Sequence, residues 1–487
     1  MTFTEAPFLL TFPVIYALWL LCRRRESWQV GLLTAASLYF YGYNHWRLLP
    51  LILSYCAANW AVGRWIETSP RPRQALTVGV AYNLLVLGYF KYTPLLLATL
   101  AGGLTRLGVS HRITAPTSWA IPFGISFYAF TGIAYMVDVF RRVTAAEASP
   151  ARYALSVTFF PHLVAGPILR ANEFLTHLRP GHMPDRGLAP LEALNLLARG
   201  AFKKVVLADR IALAIDPFFA HVADPSTAGV WSLPYVYLYA FQIFFDFSGY
   251  TDIARGLGLL FGYRWPDNFH LPYLAADVAD FWRRWHITLS RFLRDYLYIP
   301  LGGSRHGWWR TNRNLMVTML LGGLWHGASW SFMLWGGLHG GYLVLHRCWQ
   351  LLPLRTRLAS LTGILGRAWT AACVGLTFHC VCLAWCFFRL AAFGDSLICV
   401  KKWFIFDGAK WWIGGVNDPS IWILLAGYAA VTWVAQRVEM VAWRLAPGPV
   451  REPVLRGALM GYGAAVLLLA VLLSPGEAAP PFIYFQF

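Results

Sequence analysis

Two histidines stand where a polar, titratable ring is costly. His286 lies in the arginine-rich block Phe281-Trp-Arg-Arg-Trp-His-Ile-Thr-Leu-Ser290, and His326 in the nearly uncharged Leu320-Leu-Gly-Gly-Leu-Trp-His-Gly-Ala-Ser329. An imidazole in hydrocarbon needs a partner or a task. In its neutral form it can take a proton from a hydroxyl as that hydroxyl attacks an acyl carbonyl. The alternative for His326 is a core histidine bonded to a neighbouring carbonyl, and position alone does not separate the two readings. Gly322, Gly323, Gly327 and Ser329 flank the ring and let helices or ligands approach closely.

Phe281–Arg313 holds seven arginines, at 283, 284, 291, 294, 305, 310 and 313, and one acid, Asp295. Paired guanidinium donors match phosphate oxygens. Gly302, Gly303 and Ser304 beside Arg305 form a short string whose backbone N–H groups could cradle an anion. A phosphorylated cofactor such as coenzyme A fits this cluster, as does anionic lipid. The candidate cofactor ligands are Arg283, Arg284, Arg291, Arg294, Ser304 and Arg305.

A third cluster, Asp246-Phe-Ser248-Gly249-Tyr-Thr-Asp252, interrupts a long apolar run. Buried acids in membranes line cavities or pair with bases. Asp246 and Ser248 are candidates for lining a polar tunnel, together with Trp325 beside His326. Asp252 reads as structural, pairing with arginine, and Gly249 permits a break or kink. His162, before Gly166-Pro167, is left without chemistry, and His339 and His346 read as packing or interface groups. Lys203 and Lys204 suit a cytoplasmic anchor or an anion contact. Pro122–Tyr128 reads as a kinked packing helix.

These side chains need a frame, and composition sets it. Of 487 residues 57% are hydrophobic and only 13% charged, with mean hydropathy +0.49, against about 25% charged in soluble domains. Apolar stretches recur from 7–22 to 456–474. At about 20 residues per crossing they predict roughly 11–13 spans, the longest stretches having room for two helices each. Residues 1–487 read as one all-α polytopic membrane domain, with 264–314 as an interfacial or re-entrant segment on the cytoplasmic side. Phe281–Tyr296 projects as an amphipathic helix. Trp282, Trp285, Leu289, Phe292, Leu293 and Tyr296 fall on one side, the arginines on the other, and His286 at the border.

Met1-Thr-Phe-Thr-Glu-Ala-Pro lacks the basic start of a cleaved signal. Arg23–Arg25, Arg71, Arg73, Arg141 and Arg142 follow successive spans, which puts those loops in the cytoplasm and the N-terminus outside. The net charge of +18 is accounted for by topology signals and anionic-lipid contact, and no basic soluble domain points to nucleic acid. The eight cysteines are scattered through apolar runs without metal-ligand spacing, so no metal is expected. No internal repeat suggests a two-fold transporter.

Six strings together resemble the membrane-bound O-acyltransferase family, in its bacterial polysaccharide branch. They are Pro122-Phe-Gly-Ile-Ser-Phe-Tyr128, Phe160-Pro-His-Leu-Val-Ala-Gly-Pro167, Phe245-Asp-Phe-Ser-Gly-Tyr250, Phe281-Trp-Arg-Arg-Trp-His286, Arg294-Asp-Tyr-Leu-Tyr-Ile-Pro-Leu-Gly-Gly303 and Gly322-Gly-Leu-Trp-His-Gly327. The terminal Phe482-Ile-Tyr-Phe-Gln-Phe487 is similar too. The resemblance implies a ring of tilted helices around a central tunnel. It implies His326 as the catalytic histidine and His286 as the second active-site position. It also implies acetyl-CoA or an equivalent thioester as donor substrate, with no tightly bound cofactor. Further implications are a bacterial inner-membrane location and a periplasmic SGNH-type partner, working with other assembly proteins, that acetylates an exopolysaccharide of the alginate or cellulose class. No Ser-His-Asp set suggests a covalent serine enzyme. The alternatives are a transporter or flippase, and a non-catalytic scaffold of an exopolysaccharide assembly.

Overall fold

The computed structural model describes residues 3, 5–22, 24–109, 113, 121–163, 166–182, 189–227, 230–404 and 418–430. All extended regular structure among them is helical. The apolar stretch 456–474 and the string Phe482–Phe487 lie outside the described residues.

Proline punctuates the chain. It sits in the first two positions of α3 (Leu49–Thr68), α4 (Pro72–Leu87) and α5 (Thr93–Arg106). It does so again in α7 (Pro150–Thr158), α10 (Pro190–Ala201), α12 (Leu233–Leu260) and α17 (Pro353–Ala359). There its fixed φ suits a helix and its missing N–H costs nothing. The other helices are α1 (Ala6–Cys22), α2 (Glu26–His45), α6 (Ile125–Phe140), α8 (Phe160–Leu163), α9 (Ala171–Phe174) and α11 (Asp209–Ala220). Then come α13 (Val278–Arg284), α14 (Ile287–Leu293), α15 (Gly307–His326), α16 (Trp330–Gln350), α18 (Gly363–Arg389) and α19 (Phe393–Phe404).

Among the described residues three wide π-turns interrupt this order, at Gly88–Tyr92, Phe202–Ala208 and Arg294–Tyr298. Each carries basic side chains, and Lys91, Lys203 and Lys204 are all buried. A π-turn inserts one residue and re-aims those around it, which is how such turns come to serve sites.

Helix α12 is the centre of the fold. It is buried on nearly every side from Tyr235 to Leu259 and packs against α10, α11 and α18. The break that Gly249 permits is absent, because α12 runs unbroken through it. The glycine serves contact instead: a Cβ at Gly249 would lie 2.8 Å from the Gly200 carbonyl oxygen of α10. Of the two longest apolar stretches, 229–262 therefore holds one helix, while 314–349 holds the α15–α16 hairpin. Pro122–Tyr128 is not a kinked helix either. Gly124, at φ +71°, stands just outside α6, which begins at Ile125.

Among the described residues only Pro72–Arg106 and Gly363–Arg389 are both long and apolar enough, by composition, to cross a membrane. That is far fewer than the 11–13 crossings expected. Other helices of full length, such as α12, α15 and α16, are rich in Trp, Tyr, Gly and polar residues. These residues lower a helix's hydropathy without shortening it.

Candidate active site

The helix expected over Phe281–Tyr296 is two helices. α13 ends at Arg284, Trp285 is extended, and His286 takes the left-handed conformation at φ 42°, ψ 57° before α14 begins. Such a conformation is costly for a non-glycine residue and persists where its surroundings hold it. Here the loop from Asn268 to Leu271 does so. His270 N–H donates to Arg284 O at 2.9 Å, and Ile287 N–H to Asn268 O at 3.0 Å. The Asn268 side chain completes the hold. Its Oδ1 accepts from Thr288 N–H at 3.1 Å and from the Thr288 hydroxyl at 3.0 Å, and lies 3.1 Å from His286 Nδ1. Asn268 thus caps α14 from outside, a task its own N-cap residue leaves undone.

That geometry assigns a tautomer. A backbone N–H can only donate, so the Asn268 atom facing Thr288 is the oxygen, and His286 Nδ1 must donate to it. Nε2 then carries the lone pair. It is buried and has no protein partner, in a residue with no exposed surface. The ring stands edge-on to Phe247 of α12, with centroids 4.7 Å apart.

His326 is the last residue of α15 and is also buried. Its ring packs on Trp325 at 4.8 Å, Trp335 at 5.0 Å and Phe388 at 5.1 Å. Glycine brings the supporting hairpin together: a Cβ at Gly323 would lie 2.2 Å from Phe332 O, and one at Gly336 2.2 Å from Met319 O. Trp325 links the two histidines, since its ring is 6.3 Å from His286 as well. Phe130 stacks on the same indole at 5.0 Å, and Ser126 O accepts its N–H at 3.3 Å. The structure therefore gathers His286, Trp325 and His326 into one buried cluster built from α6, α12, α14 and α15.

Asp246 does not join it. Its carboxylate is 2.8 Å from Lys204 Nζ, which also bonds Asp209 at 2.7 Å. Its neighbour Phe247 is the residue that faces His286. Ser248 is buried near this network, its hydroxyl without a protein partner. Asp252 is held by Arg199 at 2.7 Å and Lys203 at 2.7 Å, which makes it part of the structural ion network.

The arginine cluster carries less free charge than its sequence implies. Arg284 pairs with Asp280 at 2.8 Å and Arg283 with the same acid at 3.3 Å. Arg291 lies 3.8 Å from Glu173, and Arg294 2.6 Å from Asp295, which also binds Arg170. Burial works to raise the Asp295 pKa, but the Arg294 hydrogen bond and the Arg170 charge hold it below the usual carboxylate range. Arg283 and Arg294 keep most of their side chains exposed, at 66% and 59%. Arg305 is exposed and makes no ion pair among the described residues. Both glycines of the Gly302–Arg305 turn take positive φ, at 109° and 55°. The N–H groups of Gly302, Gly303 and Arg305 nevertheless donate to carbonyls of the same segment. The Ser304 hydroxyl meets the Tyr298 hydroxyl at 2.8 Å.

Two strongly placed residues escaped the sequence reading. Asn268 sits in Pro266-Asp-Asn-Phe, a string that resembles any turn. Lys91 is a lone cation in the stretch 75–101, a signal of the kind that drew attention to His326. No group of three His, Cys, Asp or Glu side chains among the described residues has the arrangement of a metal site.

The segment from α6 to α18 that builds this cluster coincides with a family match. The model of the membrane-bound O-acyltransferase family covers residues 138–385, about half the chain, and both histidines fall inside it. A probable alginate O-acetylase AlgI of Pseudomonas putida is 34% identical over the full length of both chains.

The chain belongs to the membrane-bound O-acyltransferase family.

It is accordingly an O-acyltransferase and a membrane protein. A probable alginate O-acetylase AlgI of Azotobacter vinelandii is 40% identical over 72% of this chain and 70% of that protein. A peptidoglycan O-acetyltransferase of Helicobacter pylori is 37% identical over 76% and 72%.

Proposed function

We propose that this membrane-bound O-acyltransferase transfers an acetyl group from a thioester donor, acetyl-CoA, toward O-acetylation of a bacterial exopolysaccharide. The observation that carries the reading is the pairing of two buried histidines across Trp325, one with its Nε2 lone pair uncommitted. The relatives named for acetylating alginate and peptidoglycan support a sugar hydroxyl as the eventual acceptor.

His326 acts as general base. It takes the proton of the attacking hydroxyl as oxygen bonds to the acyl carbon. The carbon–sulfur bond then breaks, and the thiolate recovers that proton as free thiol. His286 orients the hydroxyl or shuttles the proton through Nε2. The arginine side is the donor side, and there Arg305, Arg283 and Arg294 have the exposed guanidinium groups that phosphates can reach. Arg284, Arg291 and Ser304 complete the set. Asp246 and Ser248 border a polar path through a ring of helices, with Trp325 at its narrow point. The protein sits in the inner membrane with its N-terminus in the periplasm, where an SGNH-type partner passes the acetyl group on.

The test is thioester turnover in vesicles holding the purified protein, with acetyl-labelled acetyl-CoA, a periplasmic partner and a panel of polysaccharides. Free CoA and labelled acceptor are expected with wild type. His326→Ala should cost about 10²- to 10⁴-fold, the range general-base catalysis supplies. Intact donor crossing the membrane would support a transporter instead. A folded, fully active His326→Ala would remove the assigned base.

A further inference from the structure

A helix leaves its last four carbonyls without intrahelical partners, and a buried helix end must find them elsewhere. For α15 these are the carbonyls of Gly323, Leu324, Trp325 and His326. Gly327 N–H reaches Gly323 O at 3.4 Å. The other three are met by two adjacent residues of a distant segment. Tyr92 Oη donates to Leu324 O at 3.0 Å. Lys91 Nζ donates to Trp325 O at 2.5 Å and to His326 O at 3.0 Å. Its third donor goes to the Ser126 hydroxyl at 3.2 Å.

An ammonium has three N–H groups, and all three are used. Lys91 is 5% exposed, and no carboxylate among the described residues forms an ion pair with it. A cation buried without an acid is expensive, and the compensating charge here is the negative end of α15. The π-turn Gly88–Tyr92 explains how the side chain arrives there. It lies inside the apolar rod Pro72–Arg106, and its extra residue turns Lys91 and Tyr92 together toward α15. Ser126 closes the arrangement from α6, because its hydroxyl accepts from Lys91 while its carbonyl accepts from the Trp325 indole.

We propose that Lys91 is a positioning residue of the acyl-transfer site. From the π-turn its ammonium fixes the backbone of Trp325 and His326, and thereby sets the imidazole of His326 and the indole that separates it from His286. Tyr92 adds the carbonyl one residue earlier. This rests on His326 belonging to the active site. A one-ångström displacement of a catalytic group is enough to slow a reaction about a hundredfold.

Lys91→Met, Lys91→Arg and Tyr92→Phe are compared with wild type and His326→Ala in vesicles supplied with acetyl-CoA. Lys91→Met is expected to lower kcat about a hundredfold while KM for acetyl-CoA stays within about twofold, because all three Lys91 donors are spent on the protein itself. Lys91→Arg, which keeps charge and donors, should recover part of the rate. Tyr92→Phe should cost less than tenfold. The second readout needs no substrate: the ¹⁵N-histidine spectrum of the protein in nanodiscs. The His326 ring signal, assigned by its disappearance in His326→Ala, should move in Lys91→Met and move back in Lys91→Arg. An unmoved signal with full activity per folded molecule would overturn the proposal. A moved signal alongside an active His326→Ala would uphold the geometry of Lys91 and overturn the assignment of the base instead.

Discussion

Asn268 holds His286 in a single tautomer. One oxygen, 3.1 Å from Nδ1, is also the acceptor for the N–H and hydroxyl of Thr288, so it cannot turn away to offer its amide nitrogen. The consequence is directional: the ring can accept a proton only at Nε2, which is the buried nitrogen with no protein partner.

Asn268→Leu should therefore lower turnover by about ten- to a hundredfold, less than removing a base outright. Asn268→Asp, which keeps an acceptor for both Nδ1–H and Thr288, should retain more activity than Asn268→Leu. Initial rates of CoA release from acetyl-CoA distinguish the two. Equal losses would mean that the amide only fills space.

Two adjacent glycines of α16 should behave in opposite ways. A Cβ at Gly336 meets the Met319 carbonyl oxygen at 2.2 Å, and backbone cannot yield as a flexible side chain can. Gly336→Ala should destabilise by about 1–3 kcal/mol or more by forcing α15 and α16 apart. At Gly337 the nearest atom is Leu320 Cδ2 at 3.5 Å, an ordinary contact. Gly337→Ala should be neutral or should gain up to about 1 kcal/mol from helix propensity. Thermal melting of the two variants in nanodiscs checks the contrast.

Asp295 ties Arg170 and Arg294 together, and its pKa lies below the usual carboxylate range. A depressed carboxylate stabilises the fold above its unfolded value of about 3.9, and that contribution is lost as pH falls through its folded value. Asp295→Asn should melt below wild type at pH 7, by about 1 kcal/mol or less because solvent screens the pair. Melts repeated at successively lower pH should show the gap closing below about pH 4. A gap that persisted there would come from packing rather than charge.

His339 is fully buried with neither ring nitrogen bonded, stacked on Phe281 at 5.9 Å and packed on Trp335 at 4.9 Å. An unsatisfied buried polar group costs about 1–3 kcal/mol. His339→Phe should relieve part of that and raise stability by about 1 kcal/mol, the larger ring taking back the rest. Turnover per folded molecule should be unchanged, since His339 packs on Trp335 and Phe281 and neither of its ring nitrogens is bonded to the acyl-transfer cluster. Loss of turnover in a stable variant would bring His339 into the chemistry.

The sequence by itself determined the material of this protein and singled out the two histidines of its proposed site. Low charge and recurrent apolar runs required a helical membrane chain, and the strings around His286 and His326 helped carry the family. These are local properties, since composition, period and short spacing do not depend on what lies across the fold. Tertiary structure decided what those groups do to one another. The period of Phe281–Tyr296 read as one helix because its apolar stripe continues through His286. Only Asn268, docking from another loop, shows why the chain breaks there. The arginines read as a field of free charge because Glu173 and Asp280 lie outside their span. Lys91 escaped notice because its main partners are carbonyls at the end of α15, and a backbone acceptor is invisible in residue type. A hydrogen bond between distant segments depends on where the helices pack, and no local pattern encodes that.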